Sequence, residues 1–179
     1  TRREPAYAAR RGERFGRVPV SINPGAIWFH TVSAGESIAA APLISKMINS
    51  LPEQNFLVTT MTPTGSEQVL QRLGDSVDHC YAPYDFTFAV GNFLRTTQPR
   101  MLVLMETEIW PNLIMQAKAQ DIPVLLINAR MSERSARGYQ RISWLSRPVL
   151  GAISHIACQS AEHMQRFVDL GVDAEKVSV

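Results

Sequence analysis

The chain has 179 residues, of which 45% are hydrophobic and 19% charged, with 11 Pro, 10 Gly and two Cys. That length suits one full domain rather than two, and the composition excludes a disordered or collagen-like chain. The formal net charge of +2 hides an asymmetry, because residues 1–17 carry six Arg against two Glu, or +4, and the remainder carries −2. A basic head on a nearly neutral body predicts a leader over residues 1–20 facing an anionic surface, ahead of one domain over residues 21–179. A solvated leader without a partner is the competing reading. Nucleic acid is disfavoured, since the body lacks a dense basic field, interleaved aromatics and a known binding motif. Cys80 and Cys158 stand in apolar stretches and are too few for a disulfide framework or a zinc site, which predicts buried, reduced thiols. No apolar run is long enough to span a membrane, and no signal peptide is visible. Starting at Thr1 and stopping in a strand-like segment, the chain reads as a fragment of a longer one.

In chain order, apolar runs predict strands over residues 26–32, 56–61, 77–81, 101–105, 124–127 and 155–158. Several are continuously apolar, as parallel strands covered on both faces are. Between them, helical stripes are marked by Ile44, Met47, Ile48 and Leu51, by Trp110, Leu113, Ile114 and Ala117, and by Met164, Phe167 and Val168. Pro111 is placed for a first helical turn, Ser160 for an N-cap and Gly171 for a helix stop. Pro42 falls inside the first helical segment and predicts a kink or a late start there. The alternation gives an α/β fold, a Rossmann-like doubly wound parallel sheet.

Phosphate-cradling loops of the GxGxxG and GxxxxGK[ST] kinds are absent, as are a Gly-x-Ser-x-Gly elbow and any spaced metal-ligand cluster. In an open parallel sheet, ligands bind beyond the carboxyl ends of the strands, where the strand order reverses. With the order 3-2-1-4-5, strands one and four are neighbours at that point, and Glu36 and Glu106 face one crevice. Ser33-x-x-Glu36 reads either as a capping box or as a general base held at a strand end. Glu106 directly ends an apolar strand, so it calls for a specific partner or a perturbed pKa. Glu108 can favour the start of the helix at Trp110-Pro111. Thr62-Pro63-Thr64-Gly65 reads as an N-cap with Pro at the first position, or as a turn that presents hydroxyls and N–H groups to a ligand. Arg130, Arg134, Arg137 and Arg141 are spaced so that one helix would carry all four on one face, either solvated or aimed at phosphate. His30 reads as a hydrogen-bonded core histidine, and Trp28, Trp110 and Trp144 as packing residues, with Trp110 close enough to the loop to wall the cleft.

Four ordered blocks carry a resemblance: His30-Thr31-Val32-Ser33-Ala34-Gly35-Glu36, Thr59 to Ser66, Met105 to Asn112, and Asn128-Ala129-Arg130-Met131-Ser132. Together they resemble the N-terminal half of bacterial 3-deoxy-D-manno-octulosonic acid (Kdo) transferases over essentially the whole chain. The resemblance implies the N-terminal domain of a two-domain GT-B glycosyltransferase, with the donor-binding domain absent from this chain and the isolated piece inactive. It implies transfer of Kdo from CMP-Kdo to the lipid A precursor, with inversion and without a metal or other cofactor. By motif, Glu36 would be the general base and Glu106 would stabilise the transition state. Ser33, Gly35, Thr64, Gly65, Glu108, Arg130, Arg134 and Arg137 would face the acceptor. The implied place is the cytoplasmic face of the bacterial inner membrane, with a preceding hydrophobic anchor and the basic leader at the lipid surface. Two alternatives remain: another GT-B sugar-nucleotide enzyme using the same carboxylates, and a non-catalytic Rossmann-like module that binds anionic lipid.

Overall fold

A computed structural model describes residues 10–179. After a single turn, α1 (Arg11–Arg14), the chain runs β1 (Ile27–His30), α2 (Ala34–Ser50), β2 (Phe56–Thr60), α3 (Pro63–Leu73), β3 (Asp78–Tyr81) and α4 (Thr87–Thr97). It continues through β4 (Met101–Met105), α5 (Pro111–Ala119), β5 (Val124–Ala129), α6 (Glu133–Arg141), α7 (Ser143–Gly151), β6 (His155–Cys158), α8 (Ala161–Asp169) and β7 (Val177–Ser178). The strands form one seven-stranded sheet in the order β3-β2-β1-β4-β5-β6-β7, with every pairing parallel. The expected order 3-2-1-4-5 is its core.

Side-chain alternation explains why the central strands are apolar without interruption. Trp28, Leu57, Leu102 and Leu104 point to one face, packed with α4, α5, α7 and α8 through Phe93, Ile114, Leu150 and Phe167. Ile27, Phe29, Val58 and Val103 point to the other, against Ala40, Ala41 and Ile44 of α2 and Val69 and Leu73 of α3. Each fully buried large side chain contributes roughly 1.5–3 kcal/mol of transfer free energy. Cys80 and Cys158 are unpaired and buried among these residues, and burial pushes both thiols upward in pKa.

The helix starts follow their sequence signals. Thr62 Oγ1 accepts from Gly65 N at 3.0 Å with Pro63 in the first position, and Ser160 caps α8. Pro42 does not delay α2, which starts at Ala34 and runs through it, with the Pro on the exposed side. Leu51 lies beyond the end of α2 and is exposed, so it is not part of the buried stripe. Helix α4 was not among the expected stripes, although Ala89, Val90, Phe93 and Leu94 repeat at helical spacing and are buried; Gly91 stands at its middle. A Cβ there would meet Gln116 Oε1 of α5 at 2.9 Å, the far end of a flexible side chain that could turn aside.

The start of α5 is capped from another loop. Asp85, between β3 and α4, accepts from Asn112 N at 3.0 Å and Leu113 N at 2.8 Å, while Asn112 Nδ2 donates to the Asp85 carbonyl at 2.7 Å. The carboxylate meets both the orphan N–H groups and the positive end of the helix dipole. Asp85→Ala is expected to cost about 1–2 kcal/mol, read as a lower denaturation midpoint at unchanged slope.

Candidate functional site

The strand order reverses between β1 and β4, which pair from Ile27↔Met101 to His30↔Leu104. After β1 the chain enters α2 on one face of the sheet, and after β4 it enters α5 on the other. The loops at residues 31–33 and 106–110 therefore border a crevice at the carboxyl edge.

Glu36 lies in the first turn of α2 and is only 6% exposed. Its Oε1 accepts from Ser33 Oγ at 2.7 Å and its Oε2 from Val32 N at 2.9 Å, while Ser33 Oγ accepts from Glu36 N at 3.4 Å. The capping reading is thus met in geometry, with the carboxylate reaching one residue beyond the N-cap. Each oxygen keeps a second acceptor direction, so the same bonds that cap the helix also aim the carboxylate. Gly65, in the first turn of α3, approaches this loop. A Cβ there would stand 3.0 Å from Thr62 Oγ1, 3.3 Å from Thr60 Cβ and 3.4 Å from the Ser33 carbonyl carbon. Gly35 and Thr64 are exposed at the two helix starts.

Glu106 leaves β4 in the left-handed region, at φ 54°. For a non-glycine residue this costs about 1–2 kcal/mol. The conformation is held by Glu106 N donating to Ile127 O at 3.0 Å and Arg130 N approaching Glu106 O at 3.4 Å. Its Oε2 forms an ion pair with Arg130 Nη2 at 2.5 Å. This is the specific partner that its position called for. Glu108 accepts from Trp110 Nε1 at 2.6 Å. Burial pushes the Glu108 pKa up; the indole hydrogen bond opposes this, and the charges of Glu36 and Glu106 push it further up. Those two Coulombic effects place all three carboxylates in one electrostatic neighbourhood. Burial, with the Glu108 charge, also raises Tyr139 of α6.

Behind the crevice stands a layer that sequence reasoning read only in part. His30 is a fully buried core histidine, as expected, bonded through Nδ1 to Thr59 Oγ1 at 3.0 Å. Thr59 Oγ1 also accepts from Trp28 Nε1 at 2.8 Å. Burial lowers the His30 pKa to about 3, so its ring stays neutral. It meets Trp110 edge-to-face at 4.8 Å. Trp110 is therefore more than a wall: one side packs on His30 while its N–H holds Glu108. The polar residues that end two otherwise apolar strands, His30 in β1 and Thr59 and Thr60 in β2, were the available signal.

The arginine row divides. Arg130 precedes α6 and pairs with Glu106, so the four arginines do not share one helix face. Arg137 pairs with Glu133 at 3.0 Å, and Arg134 and Arg141 are exposed on α6. Arg130 also borders an open depression of about 260 Å³ with Thr107, Ser132, Ser135 and His163, which Arg134 and Arg137 do not line. The structure brings Ser33, Glu36, Gly65, Glu106, Glu108 and Arg130 to the crevice edge. Trp144, expected to pack, is 78% exposed at the start of α7. Among the described residues, no group of three His, Cys, Asp or Glu side chains is arranged to hold a metal ion, and no helix is long and apolar enough to cross a membrane.

This parallel sheet, with its crevice at the reversal point, is an α/β domain of the GT-B type. A UDP-GlcNAc 2-epimerase from Neisseria meningitidis, solved with UDP-GlcNAc, superposes with a TM-score of 0.61 at 16% identity, over 86% of this chain and 46% of that one. At that identity the likeness speaks for the fold alone. The family profile for 3-deoxy-D-manno-octulosonic-acid transferase (kdotransferase) matches residues 9–179, and the chain belongs to that family. A 3-deoxy-D-manno-octulosonic acid transferase from Haemophilus influenzae is 39% identical over 179 residues, 99% of this chain and 42% of that protein. The Bordetella pertussis protein of that name is 33% identical over 176 residues, 95% of this chain and 40% of its own. The chain thus spans about two fifths of these relatives.

The raised Glu108 pKa makes a signed prediction. Between the ordinary glutamate value of 4.5 and its folded value, Glu108 holds more proton folded than unfolded. Its contribution to stability is therefore fully present below 4.5 and is lost as pH rises through the folded value. Trp110→Phe removes the opposing hydrogen bond and is expected to move the Glu108 titration further up. Carboxyl 13C chemical shifts followed against pH, with Glu108→Gln to assign the signal, check this.

Proposed function

We propose that the full-length protein transfers Kdo from CMP-Kdo to the lipid A precursor with inversion, and that this domain supplies the acceptor site and the catalytic base. The observation that carries the reading is the Glu36 carboxylate, fixed by Ser33 Oγ and Val32 N beside Glu106 and Glu108 at the sheet's reversal point. In this reading Glu36 takes the proton of the acceptor sugar hydroxyl as that oxygen attacks the anomeric carbon of Kdo and CMP leaves. A carboxylate near the reacting carbon stabilises oxocarbenium-like charge, a role that suits Glu106. Arg130 holds Glu106 in place while tempering its charge. Ser33, Gly35, Thr64, Gly65 and Glu108 would border the acceptor sugar, and Arg134 and Arg137, exposed on α6, are offered to its anionic groups.

The donor would be bound mainly by sequence outside these 179 residues, in a second domain facing the crevice. No metal or other cofactor is assigned to the reaction. The proposed place of work is the cytoplasmic face of the bacterial inner membrane, with the basic leader at the anionic lipid surface. Of that leader, Arg2 and Arg3 lie outside the described residues.

Glu36→Gln in the full-length protein, assayed with CMP-Kdo and a tetraacylated lipid A precursor, tests the reading. The amide can still accept from Val32 N and turn its NH2 group to Ser33 Oγ, so the cap persists while the base is lost. Turnover is expected to fall roughly 10²–10⁴-fold with acceptor binding largely retained. Undiminished turnover would return Glu36 to a purely capping role, and an inactive wild type would overturn the Kdo-transfer reading itself.

A further inference from the structure

Four aromatic rings stand in a row at the β3 edge of the sheet. Phe15 meets Tyr84 edge-to-face at 5.8 Å, Tyr84 meets Phe86 at 6.0 Å, and Phe86 stacks on Phe88 at 5.9 Å. Their exposures are 47%, 37%, 52% and 58%. Single exposed apolar side chains are ordinary, but a contiguous run of rings left in water marks a contact surface.

The row is firmly mounted. Tyr84 N donates to Arg14 O at 2.8 Å, and Asp85, between the two outward rings, turns inward to cap α5. Arg14 stacks on Tyr81 at 4.3 Å and Arg10 at 4.9 Å, and Glu13 Oε2 accepts from Tyr81 N at 2.7 Å. The basic segment from Arg10 onward is thus seated on the end of β3. Its acidic neighbours are engaged, Glu13 with Arg10 at 2.6 Å and Asp85 with the α5 N–H groups. Exposed Arg11 and Arg17 flank Phe15. Arg10 and Arg17 also border an open recess of about 330 Å³. What faces water is an aromatic edge with a cationic rim.

We propose that this row is a membrane-docking edge. Phe15, Tyr84, Phe86 and Phe88 enter the interfacial layer of an anionic bilayer, while Arg11 and Arg17 contact lipid phosphates. Aromatic rings are suited to that layer, and each basic group near an anionic surface adds roughly 1 kcal/mol of attraction. The proposal deepens the lipid contact suggested for the basic leader and is independent of the sugar-transfer reading.

The test is Phe88→Trp in the full-length protein on vesicles of phosphatidylglycerol and phosphatidylethanolamine, with and without brominated acyl chains. The emission added by the substitution is taken as the difference from the unsubstituted protein on the same vesicles. Brominated lipid is expected to remove most of that added emission, while aqueous iodide leaves it unchanged. Adding Arg11→Gln and Arg17→Gln is expected to weaken the bromine quenching. Added emission quenched by iodide and untouched by bromine would leave the row in water and overturn the proposal. Insensitivity to both quenchers would also overturn it, assigning the row to a protein partner or to the rest of a longer chain. No sugar or acceptor is present, so this outcome and that of the Glu36→Gln assay are read separately.

Discussion

Because β1 pairs with β4 along one edge and with β2 along the other, the chain must leave β1 and β4 in opposite directions. Both strands are sealed between helical layers, so their side chains cannot serve a ligand along most of their length. At the carboxyl edge it is the loops beyond them that reach solvent. The two departing segments go to opposite faces, α2 to one and α5 to the other, and the gap between them cannot be closed by backbone pairing. The crevice is a consequence of topology, and what lines it is the choice made by four short loops.

Those loops concentrate negative charge. Three carboxylates repel one another at the crevice edge, and each is restrained differently. Glu36 is restrained by a hydroxyl and a backbone N–H, Glu106 by the Arg130 guanidinium, and Glu108 by the Trp110 indole. Among the described residues only Glu106 of the three has a counter-charge, while Glu108 sits where burial and its neighbours oppose ionisation. Three chemically identical side chains therefore sit in three different environments. The neutral His30 behind Trp110 supports this without adding charge, because its burial removes it from titration near neutrality.

Support for the site also comes from outside it. Asp85 fastens the aromatic loop after β3 to the start of α5, tying the loop that bears Tyr84 and Phe86 to the helix that follows Trp110. Glycine has a comparable role on the other side, where Gly65 lets the α3 start close on the Ser33 turn. Small residues and capping carboxylates set the spacing of the loops, and the catalytic candidates inherit it.

Much of this was legible in the residues themselves. Continuous apolar runs identify strands buried on both faces, since only two-sided burial removes the need for alternation. Thr62-Pro63 and Ser160 mark helix starts, because the groups that satisfy orphan N–H donors lie within a few residues of them. Ser33-x-x-Glu36 likewise announces its own local geometry. The Glu106–Arg130 pair, the Asp85 cap and the Trp110–Glu108 bond were not legible, because each joins segments or orientations that only the folded sheet brings together. The arginine spacing misled for the same reason: a periodic row implies one face only if the helix includes all of it, and α6 begins after Arg130. Exposure of Trp144 and of the Tyr84–Phe86–Phe88 row was decided by tertiary packing, since an aromatic residue carries no local mark of which side its neighbours will cover. Local hydrogen bonding and burial patterns are written in the sequence, whereas the meeting of charges across loops depends on strand order and exists only once the sheet has formed.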